Sequence, residues 1–302
     1  MRFSGATGQY AALALRSLVL LAVTTGRSDA RPPPAIDAAV GTRVVAEYLD
    51  LDASRLAMTD GTISGARSRF LGLYAAADRD WSLALGHEYS ALDIALAGAR
   101  PQTNGDLHTL HLAGTWLYPA GGGSLELALA PALSVSSNAL KNPGEINGDS
   151  LQLWGSAVWH RPYRGLEGVL GIVHDYRFGE ARAYVTAGLA WRGERVSLWA
   201  TYPDVVLDWH LGGGWSASLA LHPDGNQWQV FDRPLEESSL FLREAWRGEL
   251  RLDYRWHNGL SLGLTAGYLL DQRWRFDRQD GEGLRTDSDD SAFFGFRVGW
   301  YR

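Results

Sequence analysis

The sequence has no cysteine, a single lysine (Lys141) and two methionines, and after residue 30 it lacks any long uninterrupted apolar run. Without cysteine there can be no disulfide, thiolate metal site or thiol nucleophile. The absence also suits a chain that passes through an oxidising compartment. No segment approaches the ~18 consecutive apolar residues of a membrane-spanning helix. This leaves strands open, because a β-barrel shows lipid only every second residue and averages out as a soluble chain. Basic residues are also in deficit, with 28 Lys+Arg against 34 Asp+Glu and a net charge of −6. A nucleic-acid partner would need a basic face, so that class is disfavoured.

The first thirty residues are set apart. Arg2 and Arg16 precede the short apolar core Ser17-Leu18-Val19-Leu20-Leu21-Ala22-Val23, and Ser28-Asp29-Ala30 has the small residues of a secretory cleavage site. The triplet Pro32-Pro33-Pro34 then stops any helix. Residues 1–30 are therefore expected to be a secretory signal peptide and 31–42 a short periplasmic segment. Residues 43–302 are expected to form the folded unit. Since the signal holds three Arg and one Asp, the remaining chain carries a net charge of −8.

Beyond that point the chain alternates. Between Trp81 and Ala91 the odd positions read Trp, Leu, Leu, His, Tyr, Ala, and the even ones Ser, Ala, Gly, Glu, Ser. Leu125 to Val135 keeps Leu or Val at all but one odd position. Leu250, Leu252, Tyr254 and Trp256 alternate with Arg251, Asp253, Arg255 and His257, and Leu260 to Tyr268 behaves the same way. One large apolar face and one small or charged face is the signature of strands between two media.

The connections alternate too. Short turns near 77–80, 119–122, 161–166, 192–194, 212–214 and 257–259 are interleaved with connections near 54–62, 94–105, 136–149, 176–182, 202–204, 223–238 and 277–289. Most of the second set are long and polar. At the short-turn end stand Trp81, Tyr118, Trp159, Trp191, Trp215, Trp256 and Trp300, on the apolar parity of their strands. Such rings collect where hydrocarbon meets water, and a ring of them at one end of a strand set is an aromatic girdle. A soluble β-sandwich also alternates, but it gives aromatics no reason to gather at one end. The expected fold is all-β, a closed antiparallel up-and-down transmembrane β-barrel of about 14 strands. Twelve is the alternative, because the 195–212 hairpin is short for a membrane span.

The last strand alternates Phe294, Phe296, Val298 and Trp300 with Gly295, Arg297, Gly299 and Tyr301. It resembles the C-terminal signal by which barrel proteins reach the outer-membrane assembly machinery, with Arg302 in place of a terminal aromatic. The whole chain after the signal resembles bacterial outer-membrane β-barrel proteins of Gram-negative cells. By length and closing strands it is most similar to an uncharacterised family, a domain of unknown function. The resemblance rests on architecture and implies an outer-membrane location with both termini periplasmic. It further implies outer-membrane lipids, lipopolysaccharide and the assembly machinery as partners, and transfers no functional residue. Oligomeric state stays open.

Few residues announce chemistry. His108 and His111 lie three apart, which on a strand puts them on opposite faces. No HExxH, CxxC or calcium-loop pattern occurs, so neither a metal nor any other cofactor is expected. His87 is on the apolar face while Ser90 is on the other, and no recognisable catalytic motif is present, so an enzyme is not the first expectation. A serine and a histidine brought together from two strands would meet the same chemical requirement without a contiguous motif. The acidic stretch Asp287-Ser288-Asp289-Asp290 reads as a solvated loop. What remains is the charge set opposite the apolar parity: Glu88, Asp208, His210, Arg251, Asp253, Arg255 and Arg297. These are candidate lumen residues, either selecting solutes or holding the barrel rigid through ion pairs. The leading functional expectation is a passive channel or small-solute uptake porin. The alternatives are a closed barrel with a structural or surface-interaction role and, third, a lipid-modifying hydrolase.

Overall fold

A computed structural model of the protein describes residues 42–57, 62–75, 81–95, 106–232, 237–278 and 283–302. The expected signal peptide, nearly all of the 31–42 segment, the 77–80 turn and most of the 94–105 connection lie outside these residues.

Sixteen strands make up nearly all of the described chain. They are β1 (Thr42–Arg55), β2 (Thr62–Ala75), β3 (Trp81–Ala95), β4 (Asp106–Ala120), β5 (Gly123–Ser136), β6 (Leu151–Tyr163), β7 (Leu166–Asp175) and β8 (Arg182–Arg192), followed by β9 (Val196–Thr201), β10 (Asp204–Gly212), β11 (Trp215–Pro223), β12 (Asn226–Asp232), β13 (Glu237–Arg255), β14 (Leu260–Arg278), β15 (Gly283–Ser288) and β16 (Ser291–Tyr301). A five-residue helix, α1 (Ser137–Lys141), follows β5, with the Ser136 hydroxyl accepting from the Ala139 N–H.

Each strand pairs with its neighbour in an antiparallel meander, and β16 closes the ring on β1 with Val44 opposite Trp300 and Leu51 opposite Phe293. Closure is what hydrocarbon demands, because each unpaired backbone group there costs several kcal/mol. The ring has fourteen staves. Two of them are broken strands. β11 and β12 run along successive parts of β13, Trp215 to Pro223 facing Tyr254 to Trp246 and Asn226 to Asp232 facing Arg243 to Glu237. β15 and β16 share β14 in the same way. Both β9 and β10 are full members of the ring, so the count is fourteen and not twelve. The 223–238 and 277–289 connections therefore contain strand where the sequence reading has loop, because their polar residues continue the ladder beyond the apolar belt.

The outer face carries the apolar parity. Leu83, Leu112, Leu129, Leu170, Leu250 and Phe296 are exposed, as the lipid face of a barrel requires. Both strand ends, β1 and β16, begin and finish at the rim of short turns, with Arg43 opposite Tyr301.

At the other rim the wall is uneven. β7 to β10 have eleven residues or fewer, whereas β13 and β14 are nineteen residues each. The tall side leans inward. β12 crosses to β5, pairing in parallel at Gln229 and Val135, and Asn226 and Trp228 both donate to the hydroxyl of Thr109 on β4. Leu56 of the β1 end bridges to Ser288, completing a smaller upper ring. Under it Trp228, Val230, Phe241 and Trp274 pack on Leu56, Ile63, Leu92, Ile94 and Leu107 from the opposite wall. An apolar plug thus caps the interior at the end away from the girdle.

Two backbone devices make this bend. On β14 two residues, Asp271 and Gln272, stand opposite the single Ala245 of β13, and Asp271 takes a φ of 50°. The extra residue reverses the parity of everything after it, turning Trp274 inward although it shares the sequence parity of the outward Leu264 and Tyr268. At the β11–β12 junction Gly225 has no room for a side chain: a Cβ there would lie 2.4 Å from the Arg243 carbonyl oxygen and 2.7 Å from that of Arg177. Its N–H donates to that Arg177 carbonyl at 2.7 Å, docking the β7–β8 loop against the kink.

Candidate functional site

The kink delivers Asp224 into the interior. There it meets Arg67 and Arg69 from β2 and Arg243 from β13. Arg67 Nη1 donates to both Asp224 oxygens at 2.9 and 2.7 Å. Arg69 Nη2 reaches Asp224 Oδ1 at 2.9 Å, and its Nε reaches Glu88 at 2.6 Å. Arg243 approaches the Asp224 carboxylate at 3.4 Å and donates to its carbonyl at 2.7 Å. The chain of ion pairs continues through Glu47, which lies 4.0 Å from Arg69 and 3.5 Å from Arg247. Arg247 and Arg251 share Glu249, each at 2.6 Å.

Five guanidiniums (Arg67, Arg69, Arg243, Arg247, Arg251) thus interlock with four carboxylates (Glu47, Glu88, Asp224, Glu249). Arg67 and Arg247 are each 1% exposed, so the network is enclosed within the barrel. Arg67 Nη2 and Arg247 Nε and Nη1 have no hydrogen-bond partner among the described residues. These donors can engage water or an anion without dismantling the ion pairs. Breaking a buried pair by removing one partner costs about 3–5 kcal/mol, since it strands the other charge.

Towards the girdle a second basic group appears. Arg43 and Arg255 lie over the Tyr301 ring, at 4.6 and 4.0 Å from its centroid, and Arg297 donates to the Tyr301 hydroxyl at 3.4 Å. On the apolar-plug side, Arg247 covers the Phe293 ring at 4.8 Å, next to Leu49, Leu51 and Leu269. From the girdle upward the interior therefore passes from basic rim to ion-pair network, with the patch of Leu49, Leu51, Leu269 and Phe293 beside the network, and then to the apolar plug.

The seven sequence-derived charges divide within this geometry. Glu88 and Arg251 are in the network, and Arg255 and Arg297 are in the rim group. Asp253 shares their inward parity, its carboxylate beside Gly263. Asp208 and His210 lie opposite Ser218 and Ser216 of β11, and Ser218 is in turn opposite Arg251 of the network. The sequence reading misses Glu47, Arg67 and Arg69 because the inward side of β1 and β2 is itself apolar at Val45, Leu49, Ile63 and Leu71, which blurs the alternation. It misses Asp224 because a strand that bends into a lumen looks like a loop. On β13 a signal was present: Arg243, Arg247, Glu249 and Arg251 all keep the odd parity.

The girdle residues all sit at the short-turn rim, where Trp81, Tyr118, Trp191, Trp215 and Trp300 are exposed. Trp116 pairs with Trp81 and Tyr254 with Trp215 across strands, adding two members. Ser90 points into the interior, away from His87. The Asp287–Asp290 stretch lies at the β15–β16 break, where Asp290 accepts from the Asp271 N–H at 3.0 Å.

No family model and no curated protein matches the chain. Among solved structures the similar ones are bacterial outer-membrane β-barrels. An outer membrane channel from Pseudomonas putida F1 aligns over 90% of this chain and 99% of its own, at 10% identity and a TM-score of 0.45. The Pseudomonas putida toluene transporter TodX aligns over 86% of this chain and 89% of its own, at 10% identity and a TM-score of 0.33. OccK7 of Pseudomonas aeruginosa aligns over 87% and 98%, at 12% identity and a TM-score of 0.31.

Proposed function

We propose that this barrel is an outer-membrane channel for small polar solutes, with anions favoured, in which the interior ion-pair network forms the selective constriction. The observation that carries the reading is the row of buried guanidiniums in the ion-pair network, with free donors on Arg67 and Arg247. Charges in a narrow, water-poor constriction act far more strongly than in bulk water. The basic group around Tyr301 lies on the same route and has the same sign. In this reading the girdle rim and both termini face the periplasm. Lipid and lipopolysaccharide meet the apolar outer belt, and β16 is the strand that the assembly machinery recognises. No cofactor is needed for passive transfer.

A second reading is favoured by one specific observation, the near-complete burial of Arg67, Arg243 and Arg247 beneath the plug. In that reading the network is a strut and the barrel is closed. Reconstitution into planar bilayers separates the two. A channel gives discrete steps whose reversal potential in a salt gradient favours anions, and a strut gives none.

A further inference from the structure

Outside the lumen, on the lipid-facing side, three side chains form a hydrogen-bonded relay. His108 Nε2 is 2.8 Å from the Ser137 hydroxyl, and His108 Nδ1 is 3.2 Å from His87 Nε2. The two imidazoles are stacked with an interplanar angle of 9°. Tyr89 flanks His108 at 5.0 Å between ring centroids and donates to Asp106 at 2.9 Å. All five side chains are only partly buried. They come from β3, β4 and the first residue of α1, so no contiguous motif betrays them.

We propose that Ser137, His108 and His87 form a hydrolytic site for fatty-acyl esters of the outer leaflet. Ser137 is the nucleophile, His108 the general base and His87 the positioning residue. A serine needs a base within hydrogen-bond reach and that base needs a third group to hold its tautomer, which is the order found here. With His87 Nε2 as acceptor, His108 carries its proton on Nδ1 and presents a bare Nε2 to the serine. The His87 Nδ1 then bears that ring's own proton.

Position selects the substrate class. Leu85, Leu110 and Leu112 are exposed on the same face immediately towards the girdle. His108 stands eight residues from the girdle's Trp116, roughly 27 Å along the strand at 3.4 Å per residue. With the usual ~40° tilt this is about 20 Å along the barrel axis, close to the far edge of the ~25 Å apolar band. An acyl chain lying on the leucines would bring its ester to this level. Lys141, one turn beyond Ser137 on α1, adds a cation where headgroup phosphates lie.

The step balances with water alone. Ser137 Oγ attacks the ester carbonyl carbon while its proton passes to His108 Nε2. The C–O bond to the alcohol breaks, and the departing oxygen takes that proton. Water then attacks the acyl-serine, giving its proton to His108, and the fatty acid leaves as the Ser137 hydroxyl is restored.

The test uses the refolded full barrel in mixed micelles with a p-nitrophenyl acyl ester, then phosphatidylethanolamine or lipopolysaccharide as separate substrates. Folding is checked by heat-modifiable gel mobility. The expected result is ester turnover by the wild type, with Ser137→Ala and His108→Ala each lowering the rate at least ~10²-fold. Fatty acid released from only one of the two lipids identifies the natural source. His87→Ala should lower kcat with little change in KM, and His87→Gln, whose amide oxygen can accept the Nδ1 proton, should recover part of the loss. As a measurement independent of variant folding, a fluorophosphonate probe should add to the wild-type chain at Ser137. Absence of turnover and adduct in folded wild type, an adduct mapped elsewhere, or turnover unchanged in Ser137→Ala would each overturn the proposal.

Discussion

Arg67 and Asp224 lie 157 positions apart in the chain, yet one guanidinium nitrogen reaches both carboxylate oxygens, at 2.9 and 2.7 Å. The pair ties β2 to the kink between β11 and β12, on the opposite run of the ring. It is the contact through which a bent strand becomes part of the lumen wall. Asp224 also serves Arg69 and Arg243, so one carboxylate holds three cations in place.

Asp224→Ala should therefore be among the most destabilising single changes in the barrel. Removing it leaves three arginines without this counter-ion, and a cost of roughly 3–5 kcal/mol is expected. The urea midpoint, followed by heat-modifiable gel mobility in detergent, reads this directly. A midpoint equal to wild type would mean that the pair is replaced by solvent and does not hold the kink.

On the outer face, Leu264 is 54% exposed and lies about midway between the rims. Leu264→Arg should impair assembly by roughly 2–4 kcal/mol, the cost of a charge at the midplane of a barrel's lipid face. His210→Arg, on an inward parity near the girdle, should assemble normally. Folding yields into lipid vesicles check the contrast, and equal yields would contradict the assignment of faces.

The parity switch at Asp271 offers a different test. Deleting this residue removes the bulge, so Trp274 and Phe276 should turn to the outer face and leave the plug that contains Trp228 and Phe241. The lower half of the barrel, paired from Leu260 to Leu269 with β16, is untouched. The variant should still show heat-modifiable mobility while the upper part of β14, around Arg273 and Arg275, becomes sensitive to trypsin. Unchanged protease resistance would show that the plug does not depend on the bulge.

How much of this was legible in the sequence follows from the same residues. Alternation and the girdle give the closed antiparallel barrel and its strand count, because lipid imposes a strict period on residues such as Leu250, Leu252 and Leu264. Glu88, Arg251, Arg255 and Arg297 are found by the same rule, as charges on the opposite parity. The rule fails where the medium on both sides becomes protein. Above the apolar belt Trp274 and Thr286 face inward on the parity that faces lipid lower down, and no spacing marks Asp271 as the place of the switch. Asp224 and the Ser137–His108–His87 relay are assembled across strands, and only the register brings them together.

Selectivity should follow the interior charge. Arg251 neutralises part of Glu249, and Arg255 belongs to the basic rim group. Replacing both with Ser removes two positive charges and leaves Glu249 less compensated, so the reversal potential should move towards cation preference. The shift should be largest at low ionic strength, where screening is weakest. Selectivity that ignores the double replacement would place the constriction away from these residues.

The central claim is that the ion-pair network is the constriction of a conducting pore, and single-channel recording of the wild type beside Asp224→Ala tests it most directly. The account predicts small, discrete, anion-favouring steps in the wild type. In Asp224→Ala it predicts larger or noisier steps, as the arginines lose the carboxylate that gathers them. Silence from both proteins, with folding confirmed by gel mobility, would contradict it and leave the network as a strut in a closed barrel.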